Sequence, residues 1–327
     1  KSEAVLPFYR PYLDEISSQG YASLDVHYLN DKIGKGLFTK NKISKGNRVF
    51  FEVPLICRQM PESRKKHPLC CRCGRFVGSP KEQVAKLLSG TGESYQELPN
   101  ISPFYPPCPS PISCEGCEEV YCSKECKNKS HDEYQHYFCN LSGKQSQAWK
   151  EYKQIARETS ERLIMGAKLI ASILHKSSLF YSSTPSASSS SSSFLQSEND
   201  KCIIALQKGS EIIRNATKFP WTALLSKQLK PAGEGNEQGY IMGVMQIKKV
   251  EKSVESCAAL LKEIFSNDFV DKWPTVFESK YLDHIIGMFQ MNNCTFRVLH
   301  PLQQYITNLR NAPKDLQPKL RARLQPL

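Results

Sequence analysis

The sequence predicts an α+β protein. A short β region lies near the N-terminus, a cysteine-rich metal module is set in after it, and a large block of helices follows. Three observations predict this. Nine of the thirteen cysteines fall between Cys70 and Cys139. Apolar residues alternate with polar ones from Leu24 to Tyr28, as in a half-buried strand. After Cys139, apolar residues recur at three- and four-residue steps, as on one face of a helix.

The first twenty residues carry Tyr, Pro and charged side chains and no apolar core of a secretory signal. The chain begins with Lys1, so it is expected to start inside a longer protein. Hydrophobic content of 40% and charged content of 23% are ordinary for a soluble domain, and 327 residues leave room for one large or two or three small ones. The longest apolar run, Leu163 to Leu174, is interrupted by Lys168 and is too short to span a bilayer, so no membrane is expected. The net charge of +12 favours acidic partners such as nucleic acid or chromatin. The lysines are scattered rather than striped, and a solvated basic surface accounts for the charge equally well.

Taken in order, Ile33-Gly34-Lys35-Gly36-Leu37-Phe38 places a Gly-x-Gly turn after the first strand. Glycine there permits a sharp bend or a close backbone approach. Ser44 to Asn47 is a second turn, and Arg48 to Cys57 is expected to be a dense apolar strand that ends, or lies at an edge, at Pro54.

The cysteine cluster then offers two Cys-x-x-Cys knuckles, Cys70/Cys73 and Cys114/Cys117. Next come Cys117, Cys122 and Cys126, and then a close of His136 and Cys139. A two-residue spacer lets one tight turn aim two sulfurs at one metal, and zinc takes four such ligands tetrahedrally. Eight ligands make two closed, structural sites. An odd cysteine total, local clustering and no secretory signature favour metal over disulfides, in a reducing compartment, nuclear or cytoplasmic.

The segment GKGLFTKNKISKGNRVFFEVPLI resembles the opening of the SET domain in the SET- and MYND-domain protein-lysine methyltransferases. Its markers are Gly34, Gly36, Leu37, Phe38, Ile43, Gly46, Glu52, Pro54 and Leu55. In that family a MYND zinc module is inserted directly after this strand, where the cysteine cluster stands. The long stretch between the knuckles, Gly74 to Ser113, is similar to an insertion in the plant trithorax-related branch. The resemblance implies split SET-domain β structure, an inserted two-zinc module and a helical insert. It implies a first zinc on Cys70, Cys73, Cys122 and Cys126, and a second on Cys114, Cys117, His136 and Cys139. The family close is His-x-x-x-Cys, whereas here it is His136-x-x-Cys139. His131 is the alternative to His136, Cys71 could replace Cys70, and Cys108 is read as a loop thiol.

The implied organisation is an N-terminal segment (1–21), opening SET strands (22–66), a zinc module (67–140, with a long loop over 74–113), a helical insert (141–290, with a Ser-rich linker over 182–194) and the start of the core SET with a basic tail (291–327). Tyr152, Ile155, Ala156, Thr159, Leu163, Ala167 and Ile170 are expected on one helix face. Val250, Val254, Cys257, Leu261 and Ile264 are expected on another. A last helix carries Tyr281 or Leu282, then Ile285, Ile286 and Phe289.

By resemblance Lys35, Gly36, Leu37 and Asn293 would touch S-adenosylmethionine, with Asn292 as the alternative to Asn293. A plain helix cap accounts for either asparagine as well. The family's Asn-His-Ser-Cys segment, channel tyrosine and cysteine-rich tail have no counterpart here, and the sequence holds no Asn-His pair. The expectation is therefore an S-adenosylmethionine-dependent protein (histone) lysine methyltransferase, a chromatin regulator by family, present as an incomplete chain with little or no activity. The alternative is a MYND adapter that docks short, proline-containing peptides without catalysis. Expected partners are histone tails or other lysine-bearing proteins. Direct DNA binding would rest on Lys124, Lys127 and Lys129, a thin basic helix.

Overall fold

A computed structural model describes residues 6–30, 33–50, 52, 54–64, 67–78, 82, 109–184, 197–214, 216, 219–229, 237–292, 298, 300, 303, 307 and 310. Most of the long loop with Cys108, most of the Ser-rich linker, Asn293, Cys294 and the basic tail from 311 lie outside the described residues. The chain forms two compact units, Lys1–Leu55 and Ile56–Leu327. It is mostly helical, with two two-stranded sheets among the described residues.

The first unit holds helix α1 (Leu6–Ser18) and an antiparallel hairpin, β1 (Leu24–Asn30) with β2 (Gly34–Thr39). Leu24 and Val26 point to one face, as strand alternation requires, and bury against Leu13 with Tyr9, Ile16, Ala22 and Val49 around them. Leu29, Leu37 and Phe38 stay exposed. The described residues of the run from Arg48 to Cys57 are not a strand. Val49 accepts a backbone bond from Ala22 N–H (3.0 Å), and no ladder follows among the described residues. Apolar density alone does not make a strand without a neighbour to pair with, and Pro54 has no N–H to offer one.

The second unit begins with a one-turn helix α2 (Pro61–Arg64) and the metal module. The module contains β3 (Ile112–Ser113), β4 (Val120–Tyr121), helix α3 (Lys124–Glu133) and a 3-10 turn (Gln135–Phe138). Helices α4 (Gly143–Thr159), α5 (Arg162–Ser183), α6 (Glu198–Gly209), α7 (Trp221–Gln228), α8 (Glu237–Ile264), α9 (Asn267–Lys272) and α10 (Ser279–Asn292) follow. The patterned residues Val250, Val254, Cys257, Leu261 and Ile264 are all buried on α8, and Leu282, Ile285, Ile286 and Phe289 on α10.

The expected single face from Tyr152 to Ile170 is divided between two helices. The chain leaves the helix at Ser160, whose φ is −167°, and the Ser160 hydroxyl takes the Arg162 N–H instead. Serine offers the backbone such local alternatives to a helical bond. Tyr152 then donates its hydroxyl to the Leu163 carbonyl (2.8 Å) and ties α4 to α5 across the break.

Helix α5 is longer than the apolar run suggested. At 22 residues it is long and apolar enough by composition to cross a membrane. Two thirds of its most apolar stretch (67%) is nevertheless buried against the rest of the protein, which makes it a core helix here. It also runs through Ser183, into the stretch read as a linker.

Candidate metal centre

Each knuckle is built by its own turn. At the first, Leu69 bridges Phe76, Cys70 N–H donates to the Arg75 carbonyl (2.7 Å), and Gly74 closes the turn at φ +72°, a conformation that favours glycine. At the second, β3 pairs with β4, and Cys114 N–H donates to the Glu119 carbonyl (2.9 Å), which folds Cys114 and Cys117 together. Cys71 N–H reaches the Val120 carbonyl (2.9 Å) and joins the two turns.

Cys122 and Cys126 straddle the start of α3. Ser123 caps that helix, its hydroxyl accepting the Cys126 N–H at 3.1 Å, so the cap that starts the helix also fixes the two sulfurs.

The fold gathers Cys70, Cys73, Cys122 and Cys126 into one group, every sulfur within 4.8 Å of the others. Within it, Cys73 lies 3.6 Å from Cys122 and Cys122 lies 3.5 Å from Cys126. Cys114, Cys117 and Cys139 form a second group, with Cys139 3.7 Å from Cys114 and 3.4 Å from Cys117. A tetrahedral metal with ~2.3 Å bonds to sulfur holds its ligands about 3.8 Å apart, so both groups have the spacing and the soft donors of a metal–thiolate centre. None of these cysteines is in a disulfide.

Hydrogen bonds between the sulfurs split the thiols of each group, lowering Cys70 and Cys117 while Cys73 and Cys139 are raised, and burial raises Cys122. A hydrogen bond from Cys73 brings the Cys70 pKa down to about 4, and one from Cys139 brings Cys117 to about 6, while the donating partners move the other way. The extra cysteine, Cys71, is pushed up to about 12 by burial and by Glu119. It remains a thiol and stands outside both groups.

His136 is not brought into the second group. Its Nδ1 is engaged with the His131 carbonyl, and its ring packs on Tyr137 and stands 5.2 Å from His175. His131 is outside the group by the same measure, since among the described residues only Cys114, Cys117 and Cys139 lie within 4.8 Å of one another. His131 lies on the last turn of α3, with Nε2 3.9 Å from Cys114 Sγ. An imidazole and a thiolate on one tetrahedral zinc would stand about 3.6 Å apart.

Sequence reading missed the charged node behind the module. Glu119, between the second knuckle and β4, is ringed by Arg64 (3.1 Å), Lys168 (3.3 Å) and Arg58 (3.5 Å). Arg58 also holds Glu161 at 2.6 Å. Burial works against the carboxylate, but the three cations outweigh it and hold its pKa far below the usual range. Burial likewise works against the Lys168 charge, and Glu119 outweighs it and raises that pKa. The one signal in the sequence was Lys168 itself, a charge in the middle of an apolar run. Aromatic contacts complete the docking: Phe138 stacks on Trp149 at 4.4 Å, and Tyr137 meets Phe265 and Phe269.

The residues expected at a methyl-donor site belong to both units. Lys35, Gly36 and Leu37 lie on β2, and the Lys35 ammonium donates to the Tyr9 hydroxyl (3.0 Å). Gly36 has a reason internal to the hairpin: a Cβ there would lie 2.7 Å from the Phe38 ring and 3.3 Å from Leu29. Asn293 lies outside the described residues, and Asn292 Nδ2 donates back to the Met288 carbonyl (2.8 Å). On α3, Lys129 pairs with Glu125 (2.8 Å) and Lys127 donates to the Ser113 carbonyl, so two of its three lysines are engaged.

Comparison with known proteins shows what the chain is similar to. The chain is 29% identical over 167 residues to "Protein-lysine N-trimethyltransferase SMYD5" of Danio rerio, covering 48% of this chain and 39% of that protein. It is 25% identical over 168 residues to the protein of the same name from Homo sapiens, with the same coverage of 48% and 39%. It is 23% identical over 336 residues to "Histone-lysine N-methyltransferase ATXR2" of Arabidopsis thaliana, covering 87% of this chain and 67% of that one. Its homologues are SET/MYND protein-lysine methyltransferases. The matches to the SMYD5 relatives take in about two fifths (39%) of their length. No family model and no solved structure matches the chain.

Proposed function

We propose that this chain is part of an S-adenosylmethionine-dependent protein-lysine N-methyltransferase and that the described region supplies its zinc-bound scaffold. Two structural zinc ions are assigned. One sits on Cys70, Cys73, Cys122 and Cys126, the other on Cys114, Cys117, Cys139 and His131. His131 is preferred to His136 because its ring nitrogen faces a thiolate of the group. The observation that carries the reading is the interleaving of the cysteines. The first knuckle shares a group with Cys122 and Cys126, and the second, which lies between them in sequence, shares one with Cys139. The relatives named as protein-lysine methyltransferases support that activity class.

The substrates proposed are histone tails or other lysine-bearing proteins, in the nucleus or cytoplasm. When bound, S-adenosylmethionine supplies an electrophilic methyl group. The protein's part is to align a deprotonated lysine with it and keep water away. By itself the chain is proposed to transfer methyl groups weakly or not at all, since the Asn-His pair of the family is not in it.

One observation favours a second reading, an adapter without catalysis whose zinc module docks proline-containing peptides. The Phe38 ring of the same strand stands 2.7 Å from where a Cβ on Gly36 would lie, so the glycine is explained by the hairpin itself. Isothermal titration with S-adenosylmethionine separates the two. Saturable micromolar binding supports the enzyme, and no heat from well-folded, zinc-replete protein supports the adapter.

A further inference from the structure

Gln135 opens the 3-10 turn and is 2% exposed. Its Nε2 lies 3.5 Å from Cys117 Sγ and 3.7 Å from Cys139 Sγ. Its Oε1 is buried and has no hydrogen-bond partner among the described residues. A metal-bound thiolate accepts hydrogen bonds and donates none, so only the N–H end of the amide suits both sulfurs. Leaving a buried carbonyl oxygen unpaired is costly, and charged sulfurs facing the N–H end are what offsets it. Gln135 also precedes Cys139 by four positions, where the His-x-x-x-Cys spacing of the resembling family places its histidine. In this chain an amide stands in the ligand's place, and the nearby imidazole comes from α3 instead.

We propose that Gln135 is a positioning residue of the second metal centre. Its side-chain N–H groups bridge the thiolates of Cys117 and Cys139, fix their 3.4 Å separation and draw off charge from the three-sulfur set. Gln135 does not bind the metal. It governs how tightly this centre, and not the first, retains it. The inference rests on the two-zinc reading above.

The test uses the whole chain loaded with cadmium-113 and then with zinc. Two cadmium resonances are expected, and the Gln135 side-chain amide proton should show scalar coupling to one of them through the N–H···S bond. Fewer than two cadmium resonances would sink the two-metal reading itself. Two resonances with no coupling to Gln135 would sink only this inference. In zinc-loaded protein, Gln135→Met keeps the length of the side chain and removes the donor. It should leave both zincs bound at saturation but weaken retention at the second centre about 10- to 100-fold in chelator competition, with the first unchanged. Retention equal to wild type at both centres would overturn the proposal. If Gln135→Met fails to fold, the cadmium coupling in the unaltered protein still decides.

Discussion

Replacing either partner of the buried Glu119–Lys168 pair should destabilise the protein, and the two replacements should differ in a predictable order. Lys168 is the more enclosed, its side chain 2% exposed, and among the described residues Glu119 is the carboxylate paired with it. The Tyr134 ring stands 5.6 Å from the Lys168 ammonium. Glu119→Gln therefore leaves a fully buried ammonium without a counter-charge, a change that costs about 3–5 kcal/mol. Lys168→Met removes a cation of similar bulk, yet Glu119 keeps Arg64 at 3.1 Å and Arg58 at 3.5 Å. Its cost should be smaller, about 1–2 kcal/mol, close to that of a charge-assisted hydrogen bond lost with volume kept. Urea unfolding of zinc-saturated protein, followed by far-UV circular dichroism, measures both. Equal costs below about 1 kcal/mol, or Lys168→Met the worse, would refute the claim that this node joins the module to α5.

Four further outcomes follow from the same structure. Cys117→Ser should lower the bound zinc from two ions to one by elemental analysis and speed tryptic cleavage of the module; two retained ions would contradict the assignment. His131→Ala should lose the second zinc to a chelator that His136→Ala resists, and the reverse order would restore His136 as ligand. Ser123→Ala should cost about 1 kcal/mol through the lost cap and loosen the first zinc, measured by melting and metal competition. Cys257, pushed up to about 12 by burial, is a thiol throughout the neutral range and should resist iodoacetamide at neutral pH until the protein unfolds; labelling of the native protein at the rate of a free thiol would show that α8 is not packed as described.

Some of this was legible in the sequence and some was not, for physical reasons. Helical faces on α8 and α10 could be read because burial on a helix repeats every three to four residues. The break at Ser160 could not, because the apolar period continues across it and a single hydroxyl bond decides the boundary. The run from Arg48 to Cys57 misled because strand formation depends on a partner that local sequence does not name. Each cysteine knuckle is a local turn and shows in its spacing, whereas the approach of His131 to Cys114 depends on where α3 ends and the 3-10 turn begins. Glu119 and Lys168 are 49 positions apart, so only the misplaced charge in an apolar run hinted at a buried pair. Gln135 carried no signal by residue type, and its role emerges only beside Cys117 and Cys139.

X-ray absorption at the zinc edge tests the central claim most directly. With four sulfurs in one group and three sulfurs plus an imidazole in the other, two zincs per chain should show an average of about 3.5 sulfurs at ~2.3 Å and half a nitrogen at ~2.0 Å. A single zinc per chain, or a shell dominated by oxygen and nitrogen, would contradict it.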